Sequence, residues 1–381
     1  MFKKLAIFAA IFISVTVLAL QGQYQILHWF SRTEGCPTGS LIAKNNVLYG
    51  MSSGGGAYNV GTIFKIGLDG AGFALLHSFE GSSDGDTLRG SLIFYDGKLY
   101  GMTPLGGANN VGEIFRMNMD GTGFTVLHSF TTATTDGFDP NGSLILYNGQ
   151  FYGTTLHGGA SGRGTVFRIG PSGGGFKIIH SFAGGATDGS FPFGTLTLVG
   201  TRLFGMTSGG GAKDNGTLFR VLPGGEGFKV LHSFAGGPLD GGLPLYGALA
   251  SSGPWLFGTT SGGGPDNRGT IFKIKTDGSE YALLHSLRWW DGMLPLGSVI
   301  FSGSKLYGMT SGGGDFGCGT IFVINADGTG FETLHSFDYS FGAFPFGEPL
   351  RVVTNKSGTM LYGTASQGSG GNGLVFSYKL K

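Results

Sequence analysis

The chain has 381 residues, with 24 Lys+Arg against 23 Asp+Glu and a formal charge of +1. This balance excludes the basic footprint of a nucleic-acid binder. Gly and Pro together supply about a quarter of the residues, but 33 Phe and regular aliphatic runs exclude a disordered chain and give it material for a core.

Residues 1–22 stand apart. Lys3 and Lys4 precede an apolar run of 16 residues, positions 5–20. This pattern reads as a secretory signal peptide, with Val17-Leu18-Ala19 as a cleavage site. The competing reading is an uncleaved N-terminal anchor, for which the run is short of the ~20 residues of a membrane span. No cysteine follows closely enough to carry a lipid. The expected location is secreted, periplasmic or at the cell surface. Export permits a disulfide. Cys36 and Cys318 are the only cysteines, but they occupy different repeat positions and their spacing implies no pairing. Nor does it resemble a zinc site.

From residue 23 onwards the chain repeats. Phrases of the Leu-His-Ser-Phe type carry His28, His77, His128, His180, His232, His285 and His335, at intervals of 49, 51, 52, 52, 53 and 50 residues. Such a period signals stacked or radial architecture. A Leu-Tyr-Gly phrase carries Gly50, Gly101, Gly153, Gly205, Gly258, Gly308 and Gly363. A Gly-Thr-Ile-Phe phrase carries Phe64, Phe115, Phe167, Phe219, Phe272, Phe322 and Phe376.

Residues 91–131 show the plan of one unit. A short strand at 91–95 meets a hairpin signal, Asp96-Gly97. A second strand covers 98–103. A glycine-rich loop at 106–112 leads to a third strand at 113–117. Asp120-Gly121 turns the chain into a fourth strand at 124–130. Four antiparallel strands in about 50 residues match a propeller blade. A parallel β-helix has shorter coils without these hairpins. Residues 347–381 supply only three strands of the last unit, and the missing fourth is residues 24–30 at the other end of the chain. The expected fold is therefore an all-β, seven-bladed propeller of residues 23–381, closed by its N-terminal strand, which leaves no open sheet edge at the seam.

The repeated residues have structural readings. By period two, His77 shares an apolar face with Phe73, Leu75 and Phe79. A histidine repeated in every blade is read as scaffold, hydrogen-bonded within or between blades. The strand glycines suit a close approach of a neighbouring backbone. Lys65, Arg116, Arg168, Arg220 and Lys273 follow the third-strand phrase, either as a ring for an anionic ligand or as stems paired to turn carboxylates. Asp84, Asp136, Asp188, Asp240 and Asp291 precede glycines and read as turn formers. Repeated calcium ligation is the alternative, although the spacing is not that of an EF-hand.

The units resemble the GloVer-type tandem repeats of bacterial "choice-of-anchor" proteins. The likeness rests on Leu99-Tyr100-Gly101-Met102-Thr103 with Gly106-Gly107, on Gly164-Thr165-Val166-Phe167, on Leu231-His232-Ser233-Phe234, and on their copies over residues 24–381. It implies an exported or surface-attached propeller and no particular activity. Tyr378-Lys379-Leu380-Lys381 offers no apolar tail, so free secretion, a periplasmic location or retention through the N-terminal segment is expected. A looser likeness to kelch repeats lacks their tryptophan pattern.

Chemistry is sought where the repeat breaks, because loops vary while strands hold the scaffold. His157 lies outside the repeated histidine position. Arg163, Lys213, Asp214, Asp266, Arg268 and Asp315 vary the loops between second and third strands. Trp289 and Trp290 interrupt a loop of small residues and suit stacking on a sugar or anchoring a protein. Glu113 replaces a repeated Thr, and Glu348 falls at a first-strand hydroxyl position near the axis. Each has a plain alternative as a turn former, an exposed loop residue or a core cap. No nucleophile elbow, phosphate loop or metal motif is present.

The leading expectation is a monomeric, non-enzymatic binding module for an extracellular glycan or protein, without cofactor or metal. It would meet a membrane only through an uncleaved N-terminal segment. One rival is a polysaccharide lyase or hydrolase using His157, Glu113 or Glu348 at a central funnel. The other is a purely structural surface protein.

Overall fold

The structure, a computed structural model, describes residues 23–345, 351–355, 358–368 and 371–380. No helix occurs among them. Seven four-stranded antiparallel sheets form the blades. Blade 1 consists of Cys36–Lys44, Val47–Ser53, Thr62–Gly67 and Ala74–Ser78, and blade 2 of Ile93–Tyr95, Lys98–Thr103, Glu113–Asn118 and Thr125–Ser129. Blades 3 to 6 repeat this plan, ending on Lys177–Ser181, Lys229–Ser233, Ala282–Ser286 and Glu332–Ser336. Asp96 and Gly97 both take positive φ, as their hairpin turn requires.

Blade 7 takes its strands from both ends of the chain. Arg351–Asn355, Gly358–Ala365 and Leu374–Lys379 are followed in space by Tyr24–Trp29. The closing strand is antiparallel, with Tyr24 opposite Tyr378 and Trp29 opposite Leu374. The expected closure is therefore present.

Seven apolar clusters form the core, each between two neighbouring blades. Phe79, Leu92, Phe115 and Met117 join blades 1 and 2, and Leu41, Phe64, Tyr362 and Val375 join blades 7 and 1 across the seam. The second-strand glycines serve this packing in a way the sequence reading did not anticipate. Gly205 lies opposite Phe219, and a Cβ there would stand 2.5 Å from Phe219 Cζ and 2.9 Å from Leu196 Cδ2. The glycine admits an aromatic ring of its own blade, not a neighbour's backbone. Close backbone approach occurs instead at the first strands. A Cβ on Gly90 would stand 2.3 Å from the Gly142 carbonyl oxygen of the next blade.

Beside these first-strand glycines runs a belt of hydroxyls. The Ser40 N–H donates to Ser91 Oγ (2.9 Å), Ser91 N–H to Ser143 Oγ (2.8 Å) and Ser143 N–H to Thr195 Oγ1 (2.8 Å). The Ala248 N–H donates to Ser298 Oγ (2.7 Å). The belt lines an axial cavity of about 570 Å³, whose other walls are aliphatic and Phe301 side chains. None of its described lining residues is charged.

The outer strands explain the histidines. In blade 1 the ladder slips between the pairs Ile63–His77 and Phe64–Leu75. This bulge reverses the side-chain alternation. Phe73 therefore stacks on His28 of blade 7, whereas His77 stacks on Phe124 of blade 2. Leu75 is 40% exposed. The expectation of one shared apolar face is corrected accordingly.

Each histidine stacks on the aromatic residue four positions before the next blade's histidine. The pairs are His28–Phe73, His77–Phe124, His128–Phe176, His180–Phe228, His232–Tyr281, His285–Phe331 and, across the seam, His335–Tyr24. The first six also donate from Nε2 to a carboxylate: Glu34, Asp84, Asp136, Asp188, Asp240 and Asp291, at 2.8 to 3.3 Å. The Asp-Gly aspartates are thus partners of the histidines as well as turn formers. Burial alone would raise Asp188 and Asp240, but hydrogen bonds from His180 and His232 and from backbone N–H groups hold both below the ordinary carboxylate value.

Candidate functional site

With the repeated histidines committed to scaffold, two places on the ring depart from the repeat. The first is the mouth of the axial cavity. The residue before each first-strand glycine differs in identity between blades. Arg89 Nη1 donates to Asn141 Oδ1 (3.2 Å) and to Tyr246 Oη (3.3 Å). Arg89 leads into blade 2 and Tyr246 into blade 5, so the contact spans the opening.

Asn141 Nδ2 donates to Asp139 Oδ1 at 2.8 Å. Asp139 lies 3.9 Å from His157 Nε2. Burial raises the Asp139 carboxyl, against the opposing pull of Asn141, His157 and Arg89. Phe193 packs edge-on to Tyr246 with ring centroids 5.1 Å apart.

The second place is an arc of exposed aromatic side chains on the rim of blades 5 to 7. Trp289, Trp290, Phe316, Tyr339 and Phe341 are five of the seven exposed aromatics among the described residues, and Trp290 and Phe316 are each 61% exposed. Arg268 sits 5.2 Å from the Trp289 ring and Arg288 5.6 Å from the Trp290 ring, within cation–π range. One cavity of about 410 Å³ is lined by Asp266, His285, Arg288 and Trp290. Another, of about 760 Å³, adjoins Trp290, Asp315, Phe316 and His335.

The residues singled out from sequence distribute around the ring. His157 pairs with Phe138 in a two-residue ladder between the loops of blades 2 and 3, beside Asp139. Arg163 is exposed and its side chain passes over Gly184. Lys213 is an exposed loop tip. Asp214 takes a φ of 54° and its Oδ1 accepts the Gly210 N–H (2.7 Å), the role that Asn267 plays in blade 5. Asp266, Arg268, Asp315, Trp289 and Trp290 gather along the aromatic arc. Glu113 is 1% exposed, and its Oε1 accepts from Ser129 Oγ and the Ala108 N–H. Glu348 lies outside the described residues, as does the segment 1–22.

Cys36 and Cys318 are both free. Three of the basic residues after the third-strand phrase interact with the next blade. Arg116 Nη1 donates to the Pro171 carbonyl (3.3 Å), and Lys65 and Lys273 add attraction to Asp120 and Asp327, which Thr122 and Thr329 already hydrogen-bond.

Sequence reasoning missed Arg89, Asn141, Asp139 and Tyr246. Their signal was available: each stands at or near a position that precedes a repeated glycine and changes from blade to blade. No group of histidine, cysteine and carboxylate side chains among the described residues is arranged to hold a metal ion, and no described helix is long and apolar enough to cross a membrane.

The closed ring of four-stranded blades and the variable rim define the class: a seven-bladed β-propeller built from tandem repeats. Its family follows from the sequence model that matches residues 13–219 and 199–381. The chain belongs to the Gloeobacter/Verrucomicrobia repeat family.

No curated protein matches the chain. Among solved structures it is similar to an oligogalacturonate lyase in complex with manganese, with a TM-score of 0.54 and 12% identity over 94% of this chain and 93% of that one. It is more distantly similar to a chain of a nidogen/laminin complex, with a TM-score of 0.46 and 13% identity over 73% of this chain and 91% of that one. TolB from Acinetobacter baumannii gives a TM-score of 0.42 and 14% identity, over 70% of this chain and 58% of that one. At such identities these likenesses concern the fold alone.

Proposed function

We propose that the protein is an exported binding module that recognises a glycan through the aromatic arc of blades 5 to 7. The observation that carries this reading is the concentration of exposed aromatic rings on one part of the rim. Solvent-exposed indoles are costly unless they are covered, and a planar ring matches the apolar face of a sugar. Carboxylates and an arginine beside them, Asp266, Asp315 and Arg268, supply hydrogen bonds that fix orientation. Export rests on the basic and apolar pattern of residues 1–22.

The test is a glycan array probed with the purified protein, followed by titration of the best hit. Trp290→Ala is expected to cost about 2 kcal/mol, roughly a thirtyfold loss of affinity. An array with no hits, or a Trp290→Ala protein of unchanged affinity, overturns the reading.

A second reading, a polysaccharide-active enzyme, is favoured by one observation: Arg89, Asn141, Asp139 and His157 meet at the mouth of the axial cavity. The same titration separates the two. Release of soluble product from the bound glycan supports the enzyme, and an unchanged glycan supports the binding module.

A further inference from the structure

The seventh histidine departs from the clamp that holds the other six. In blade 5, Asp291-Gly292 follows His285 by six residues and supplies the carboxylate. Six residues after His335 stands Phe341-Gly342. The carboxylate has been replaced by an aromatic ring, and the Phe341 carbonyl accepts the Tyr24 hydroxyl instead (2.7 Å). Asp338 is nearer in sequence, but its Oδ1 accepts from the Ser340 and Phe341 N–H groups. His335 Nε2 is left buried and without a hydrogen-bond partner. Burial lowers this imidazole to about 4, against the weaker pull of Asp338, so the ring is neutral at physiological pH.

The 760 Å³ cavity adjoins this ring, between the outer strand of blade 6 and the closing strand of blade 7. Trp290, Phe316 and Phe341 give it aromatic walls, and Asp315 and Asp338 are its charged groups. Among the described residues its lining includes no lysine or arginine. The Asp315 N–H is held by Ser336 Oγ (3.3 Å), which fixes the loop that carries this carboxylate.

We infer that this cavity binds a primary organic ammonium carried on an aryl or alkyl body. The charge is complementary: Asp315 and Asp338 are the charged groups among the described lining residues, Arg288 stands outside that lining against the Trp290 ring, and aromatic faces attract cations. The neutral imidazole of His335, whose Nε2 is buried and unpartnered at the cavity wall, accepts an ammonium N–H, which satisfies one of the buried polar atoms left without a partner. The apolar body of the ligand covers the aromatic walls. The cavity shares Trp290, Asp315, Phe316 and Phe341 with the aromatic arc, but the inference does not rest on the glycan reading, because its titration uses no sugar.

The experiment is calorimetric titration of the purified protein with three probes of one size: phenethylammonium, 2-phenylethanol and phenylacetate. The ammonium is expected to bind roughly tenfold more tightly than the alcohol, with the carboxylate weakest. Asp315→Asn is expected to weaken the ammonium several-fold and leave the alcohol unchanged. His335→Phe keeps the stack on Tyr24, removes the acceptor and is expected to weaken both. Equal affinity for the three probes overturns the proposal, as does absence of binding by any of them at about 10 mM. So does a pair of variants that both bind phenethylammonium like the parent.

Discussion

Glu113 stands where five other blades place a hydroxyl. In those blades the second and third strands share a hydroxyl pair, such as Thr155–Thr165 at 2.8 Å and Thr207–Thr217 at 2.8 Å. In blade 2 the carboxylate displaces that pair, takes up Ser129 and leaves Thr103 Oγ1 and its own Oε2 without partners. Buried polar atoms without partners are costly. Glu113→Thr is expected to raise stability by about 1 kcal/mol, seen as a later urea midpoint at unchanged slope. An earlier midpoint would show that the carboxylate has a favourable role. The sequence marked Glu113 as unusual without showing whether it faced a cleft or the core. The histidine clamps were hidden for a different reason. Their carboxylates follow at six to eight residues, so no fixed spacing marks the pair, and a turn explains each Asp-Gly by itself.

Strands were the most legible level, because tight turns and period-two patterning repeat in every unit. The hairpin of blade 2 and the strand limits around it follow directly from Asp96-Gly97 and Asp120-Gly121. The bulge was not legible. It leaves composition unchanged and shows only in the pairing, yet it decides which neighbour each aromatic ring meets. The strand glycines were recognised as special, but the wrong neighbour was assigned to them. This correction has a measurable consequence. Gly205→Ala would drive a methyl group into Phe219 and Leu196, which are both buried. It is expected to cost about 2–3 kcal/mol, as overpacking of a tight core does. Pairing it with Phe219→Leu should recover part of that loss in a double-mutant cycle. Additive losses would place the strain elsewhere.

At the scale of the ring, the two ends of the chain meet in one blade. Tyr24 stacks on His335, and Phe30 is buried with Phe64 of blade 1, so the closing strand bonds to both neighbours of the seam. Deleting residues 24–30 is expected to cost about 5 kcal/mol or more, from several buried aromatic and aliphatic side chains, and to lower the thermal midpoint of the whole domain in one transition. A truncated protein with the parent's midpoint would refute the role of the strand. Seven-fold closure was legible because the phrases are unequally shared between the ends. The mouth residues were harder to see, since a contact between blades 2 and 5 has no trace in any single repeat. The hydroxyl belt beneath them has one last consequence. Its N–H groups donate in one rotational sense from blade 1 to blade 4 and from blade 5 to blade 6, but the sense reverses between blades 4 and 5, where the Leu249 N–H donates back to Thr197 Oγ1 (2.9 Å). A solute in the bore therefore meets neutral hydroxyls among the described lining residues, and the charged groups described at the opening include both the Arg89 guanidinium and the Asp139 carboxylate.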